Sequence, residues 1–288
     1  MTQETREETQ RIVAAYEPQS SEETARALQE LWSQIPSTGG GARLVKAEVR
    51  EEFKALGVPV PDLADIGKEI GRVARRQVDD FLPLARVLWD DYGREGRLVA
   101  STFLGSMELT APERVMPVIR EMAETCVAWE DCDQLAMRAL EPVVRKKPDE
   151  YLDTLEPWVT DPDKWVRRAT ITVIGRLPMK HPSYTEKCLL MVEPALGDGD
   201  LDVLRALSFA IRACARGDTE VVKAFIERQA YRTDPASIWV LCDVIRSMTK
   251  KLLPQFKDLL PVYENWLATV DVKSQRSVVS AINVLRSA

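Results

Sequence analysis

The chain has 288 residues, 45% of them hydrophobic and 29% charged, a balance that excludes a disordered or fibrous protein. Lys and Arg number 39 against 45 Asp and Glu, a formal net charge of -6, which supplies no bulk attraction to nucleic acid or to an anionic membrane. A single histidine, His181, excludes zinc sites with several His ligands and any two-histidine acid/base scheme.

The first residues, Met1-Thr-Gln-Glu-Thr-Arg-Glu-Glu8, have neither the basic start nor the apolar run of a signal peptide. No stretch of about 18 apolar residues occurs, and a cytoplasmic protein without membrane contact is expected. Residues 1 to 36 predict two short, charge-rich helices. Ser37-Thr-Gly-Gly-Gly41 reads as a linker, because no strand precedes the glycines and no Gly-Lys-Ser/Thr closes them into a phosphate loop. The organisation expected is a helical cap and linker over 1–41, followed by one repeat domain over 42–288.

From there the apolar spacing is helical. Val115, Val118, Ile119, Met122, Ala123 and Cys126 form the stripe of a half-buried helix, and the pattern recurs at Val166, Ala169, Thr170, Val173, Ile174, Leu177 and at Leu204, Leu207, Ser208, Ile211, Ala215. Strict alternation is missing, so the chain is read as all-α. Breaks at 56–61, 110–112, 160–163 and 197–200 divide it into about a dozen or more helices. Between Glu113 and Arg216 a helix, a Pro or Gly/Asp break and a second helix recur roughly every 35 to 45 residues, a period that suits HEAT-like pairs stacked in a right-handed α-solenoid with a concave face. An irregular helical bundle is the other reading. The five cysteines, Cys126, Cys132, Cys188, Cys214 and Cys242, are odd in number and fall in apolar helical patterns, which predicts reduced core thiols. His181 falls in a loop and reads as a surface residue.

Charge is unevenly placed. Residues 1–144 hold 17 basic and 26 acidic side chains, and residues 145–288 hold 22 and 19. In the second half Arg205, Phe209, Arg212 and Arg216 lie at i, i+4, i+7 and i+11, one helix face opposite the apolar stripe. One repeat earlier Lys164 and Arg168 share a face with Trp165 beside them, behind Asp161-Pro-Asp163, where a helix start would offer N–H groups to phosphate. Arginines interleaved with aromatics on successive repeats suit a groove that tracks a nucleic-acid backbone; solvated charged faces are the alternative. Earlier still, Trp129-Glu-Asp-Cys-Asp133 sets an indole and a carboxylate on one helix face, which a packed Trp with a nearby capping Asp would also explain.

Trp129-Glu-Asp-Cys-Asp133, Leu155-Glu-Pro-Trp158-Val and Asp161-Pro-Asp-Lys-Trp165-Val-Arg-Arg168-Ala, with Phe53 to Ile70 upstream, resemble the AlkD-type DNA alkylation repair family of HEAT-like DNA glycosylases over roughly residues 43 to 250. The resemblance implies a monomeric, cofactor-free and metal-independent enzyme that excises cationic N-alkylated purines, of the 3-methyladenine or 7-methylguanine type, from double-stranded DNA. It implies catalytic roles for Trp129, Asp133 and Arg168: an indole face against the cationic nucleotide, an anion beside the sugar, and a guanidinium on a backbone phosphate or on the Asp133 carboxylate. Lys164, Trp165, Arg205, Phe209, Arg212 and Arg216 would bind DNA, with Phe209 where the family carries a second Trp. Two other functions fit the same residues, a non-catalytic HEAT-like protein that binds damaged or branched DNA and a helical scaffold whose acidic N-terminal half meets a basic partner.

Overall fold

The computed structural model describes residues 1–37 and 55–288; the expected linker beyond Ser37, and Phe53 at the head of the upstream segment, lie outside them. No strand occurs among the described residues, and the chain divides into two compact units, Met1–Lys146 and Lys147–Ala288.

In the first unit α1 (Gln3–Ala14) packs on α3 (Val60–Ala74), and α2 (Ser21–Ser33) on α4 (Val78–Asp91). The buried Glu69 of α3 receives Arg6, Gln10 and Arg72 at 3.2, 3.0 and 2.6 Å, which fastens α1 to α3 through charge. At the centre lies α5 (Gly93–Glu108), buried along most of its length against α3, α4, α6 (Pro112–Glu124) and α7 (Trp129–Leu135). A π-helical turn, Ala136–Leu140, separates α7 from α8 (Glu141–Lys146). That turn comes so close to α5 that a Cβ at Gly105 would collide with the Arg138 carbonyl oxygen. Glycine at 105 is therefore a packing requirement.

The second unit is regular. After α9 (Pro148–Leu155), the inner helices α10 (Lys164–Arg176), α12 (Leu201–Cys214), α14 (Pro235–Arg246) and α16 (Val272–Arg286) pack each on the next. The helices α11 (Thr185–Val192), α13 (Thr219–Arg228) and α15 (Leu260–Thr269) form a second layer. Each inner helix starts behind an aspartate, Asp163, Asp200, Asp234 or Asp271, whose carboxylate accepts backbone N–H groups of the first turn; such caps contribute about 1 kcal/mol each. The caps follow one another at 37, 34 and 37 residues, near the short end of the expected period. Helices α9 and α11 have only 8 residues each and run into short 3-10 turns, because Pro157 and Pro194 lack the N–H that a longer α-helix needs.

The stripes from Val115, Val166 and Leu204 are all buried. Burial goes further than a half-buried helix requires: Val203, Ala206, Ala210, Ala213 and Cys214 are buried as well, since α12 has α10 on one flank and α14 on the other. Small residues permit that approach, and a Cβ at Gly175 of α10 would strike Ala210 of α12. The five cysteines are buried and unbridged, and burial pushes the Cys188 and Cys242 thiols up to about 12, where they are protonated and inert at neutral pH. No helix among the described residues is long and apolar enough to cross a membrane.

Candidate nucleic-acid interface

Helix α7 carries Trp129 as its first residue and Asp133 one turn on. Trp129 is 41% exposed and Asp133 half-buried, whereas Glu130, Asp131 and Cys132 between them are buried. The two expected site residues therefore share the open side of a helix of only 7 residues, too short to hold its own direction. Its buried side is held by charge. Asp131 accepts the Val127 and Ala128 N–H groups at 3.1 and 3.0 Å and the Arg97 guanidinium at 2.5 Å. Arg97 also donates to the Trp89 and Thr125 carbonyls and lies over the Trp89 ring, 4.7 Å from its centroid. Glu130 accepts Arg94 Nε at 2.9 Å. Arg94 in turn donates to the Val58 carbonyl and to Glu95, whose carboxylate accepts the Leu56, Gly57 and Val58 N–H groups ahead of α3. Desolvation raises the Glu130 and Asp131 carboxyls, with Arg94 and Arg97 opposing that rise. Sequence reading missed this backing, because Glu130 and Asp131 look like solvated charges at a helix start.

In the second unit Arg168 is buried and its Nη1 donates to the Asp202 carbonyl at 2.6 Å. Lys164 lies 4.5 Å from the Trp165 ring centroid and pairs with Asp200 and Asp202 at 3.3 and 3.7 Å. Trp165 itself is buried, 7% exposed: it supports Lys164 and offers little face of its own to a ligand. The α10 start also differs from expectation, since Asp163 already takes the Trp165 and Val166 N–H groups at 2.8 and 3.1 Å, leaving that end poorly suited to phosphate.

The basic face of α12 is well formed. From Val203 to Arg216 only Arg205, Phe209, Arg212 and Arg216 escape burial, so they make one open strip with the ring in its middle. Arg205 lies 3.4 Å from Asp202; Arg212 donates to the Ser208 and Ser247 carbonyls, and its pKa is lowered chiefly by burial. Arg216 has no acidic partner among the described residues. Phe209, Arg212 and Arg216 line a shallow groove with Ser247, Met248 and Thr249. The charge is layered: α10, α12, α14 and α16 carry 10 basic and 2 acidic residues, while α9, α11, α13 and α15 carry 3 and 7.

Trp129 and Asp133 belong to the first compact unit and the seven other expected site residues to the second. No cluster of three or more His, Cys, Asp or Glu able to hold a metal occurs among the described residues. His181 sits between α10 and α11 with its ring edge-on to Tyr184.

The family described as DNA alkylation repair enzyme matches residues 12–239. Among solved structures, the X-ray crystal structure of AlkD2 from Streptococcus mutans resembles the chain with a TM-score of 0.51 and 16% sequence identity, over 88% of this chain and 100% of that one. At that identity the likeness is one of fold, and it agrees with the HEAT-like helical repeats expected from the sequence. No curated protein matches the chain in sequence.

Proposed function

The chain belongs to the DNA alkylation repair enzyme family, and on that premise we propose that it is a DNA glycosylase excising cationic N-alkylated purines, of the 3-methyladenine or 7-methylguanine type, from duplex DNA. The observation that carries the reading is the open side of α7, with an exposed indole and a carboxylate one turn apart on a helix fixed from behind. An alkylated ring nitrogen makes the purine a cation and a good leaving group. When the bond from the purine to C1′ breaks, its electron pair neutralises the base and positive charge develops on the sugar. Water then adds its oxygen to C1′ and gives up a proton, leaving an abasic site and a neutral base. Asp133 stabilises the developing charge and orients the water. Trp129 presents its π-face to the cationic nucleotide, a contact of about 0.5 to 2 kcal/mol. Arg168, whose buried guanidinium already donates one N–H to the Asp202 carbonyl, supplies a fixed positive charge for a backbone phosphate.

The strip of Arg205, Phe209, Arg212 and Arg216, together with Lys164 on its Trp165 support, binds the duplex through its phosphates. Neither a cofactor nor a metal takes part in this scheme, and the protein acts as a monomer in the cytoplasm. The test is release of free bases from methylated duplex DNA. Asp133→Asn and Arg168→Ala should each reduce release at least about a hundredfold with unchanged circular dichroism; full activity in both variants overturns the assignment. Wild-type protein that binds duplex with strong salt dependence but releases no base is instead a binder of damaged DNA.

A further inference from the structure

The cap aspartates set a register that can be followed from one inner helix to the next. Counting from Asp200, the open strip of α12 falls at the fifth, ninth, twelfth and sixteenth residues, and the same offsets from Asp234 give Trp239, Asp243, Arg246 and Lys250. Within α14, Trp239, Asp243 and Arg246 are the positions after Ala236 that escape burial, and Lys250 is exposed beyond the helix end. The twelfth and sixteenth positions are basic in both repeats, and the aromatic has moved from the ninth to the fifth. Asp243 accepts Ser208 of α12 at 2.7 Å and Arg246 at 3.2 Å, so its charge is used inside the array. The Trp239 indole N–H has no partner among the described residues, and neither has the Lys250 amine.

We propose that this strip is a second contact site for the phosphodiester backbone of duplex DNA, in which the Trp239 N–H and Lys250 each take a phosphate oxygen. It shares a border with the first strip, since Ser247, Met248 and Thr249 line the groove against Phe209, Arg212 and Arg216. A nucleic-acid ligand is favoured over a protein by the layered charge, 10 basic against 2 acidic residues on the inner helices. The inference rests on the reading that the chain binds duplex DNA; it does not depend on catalysis.

Fluorescence anisotropy with an unmodified labelled duplex two helical turns long, titrated across a salt series, tests it. Lys250→Ala should weaken binding and lower the slope of log K against log salt by about 0.9. Trp239→Phe keeps the ring and removes the donor; it should weaken binding about fivefold with the slope unchanged, as should Trp239→Ala or more so. Wild-type protein that fails to bind the duplex at low salt overturns the DNA reading and this inference together. If the wild type binds and Trp239→Phe and Lys250→Ala bind equally well, the second strip alone is overturned.

Discussion

The two compact units are both helical throughout their described residues but place charge differently. In the first, carboxylates are buried against arginines: Glu69 beneath the exposed Arg6 and Arg72, Glu95 and Glu130 with the buried Arg94, and Asp131 with the half-buried Arg97. In the second, carboxylates cap helices and arginines reach the following repeat, as Arg167 does to Asp198, Arg168 to the Asp202 carbonyl, Arg212 to the Ser247 carbonyl and Arg246 to Ser277. A repeat positions its side chains by recurrence. Helix α7, with 7 residues and a π turn behind it, has no recurrence to rely on, and buried ion pairs fix it instead.

That contrast can be broken by mutation. Arg94→Ala leaves Glu95 and Glu130 buried without their cation and should cost about 3 to 5 kcal/mol in urea unfolding, whereas Arg167→Ala, nearer the surface, should cost about 1.5 to 3 kcal/mol. Equal losses would erase the distinction. Gly105→Ala must push the π turn away from α5, with a cost of about 1 to 3 kcal/mol. Because that turn follows α7, base release should also fall; unchanged activity would show that α7 is positioned without the turn.

Glu108 offers a pH-dependent comparison. Both its carboxyl oxygens are buried without a partner, and burial raises its pKa well above the ordinary 4.5. The unfolded chain loses that proton near 4.5 while the folded chain keeps it, so stability is complete below 4.5 and declines as pH rises toward the folded value. Glu108→Gln removes the decline and should gain up to about 1.4 kcal/mol per pH unit over the wild type across that window, read as the difference in urea midpoints between pH 5 and pH 7. Parallel curves would mean that Glu108 ionises in the fold. The smallest effects belong to the caps: Asp163→Ala, Asp200→Ala and Asp234→Ala should cost about 1 kcal/mol each. Asp163→Ala and Asp234→Ala, on helices not in direct succession, should add to within about 0.5 kcal/mol; strong coupling between them would contradict a repeat array.

The sequence made the second unit more legible than the first, for a physical reason. Apolar spacing reports which side of a helix is buried, so the stripes of α6, α10 and α12 and the open strip around Phe209 could be read from residues alone. A fuller repeat was also in plain view: Glu156-Pro-Trp-Val-Thr-Asp-Pro-Asp163 and Glu193-Pro-Ala-Leu-Gly-Asp-Gly-Asp200 align residue for residue. In the first unit Glu130 and Asp131 carry the same letters as solvated surface charges, and nothing local shows that their arginines, Arg94 and Arg97, lie 36 and 34 residues away in sequence. Trp165 misled in the reverse direction, because an aromatic beside a lysine at a helix start is equally a ligand platform or a buried support.

The spacing of the capped helices also bears on how the second unit is made. Each repeat fastens to the one before it across 34 to 37 residues, so few distant segments must find each other, and the entropy of closing each loop stays small. The array can then grow one repeat at a time as the chain leaves the ribosome, each new helix pair completing the face left open by its predecessor. Amide exchange would follow the same grain, opening in blocks of one repeat and not across the whole unit at once.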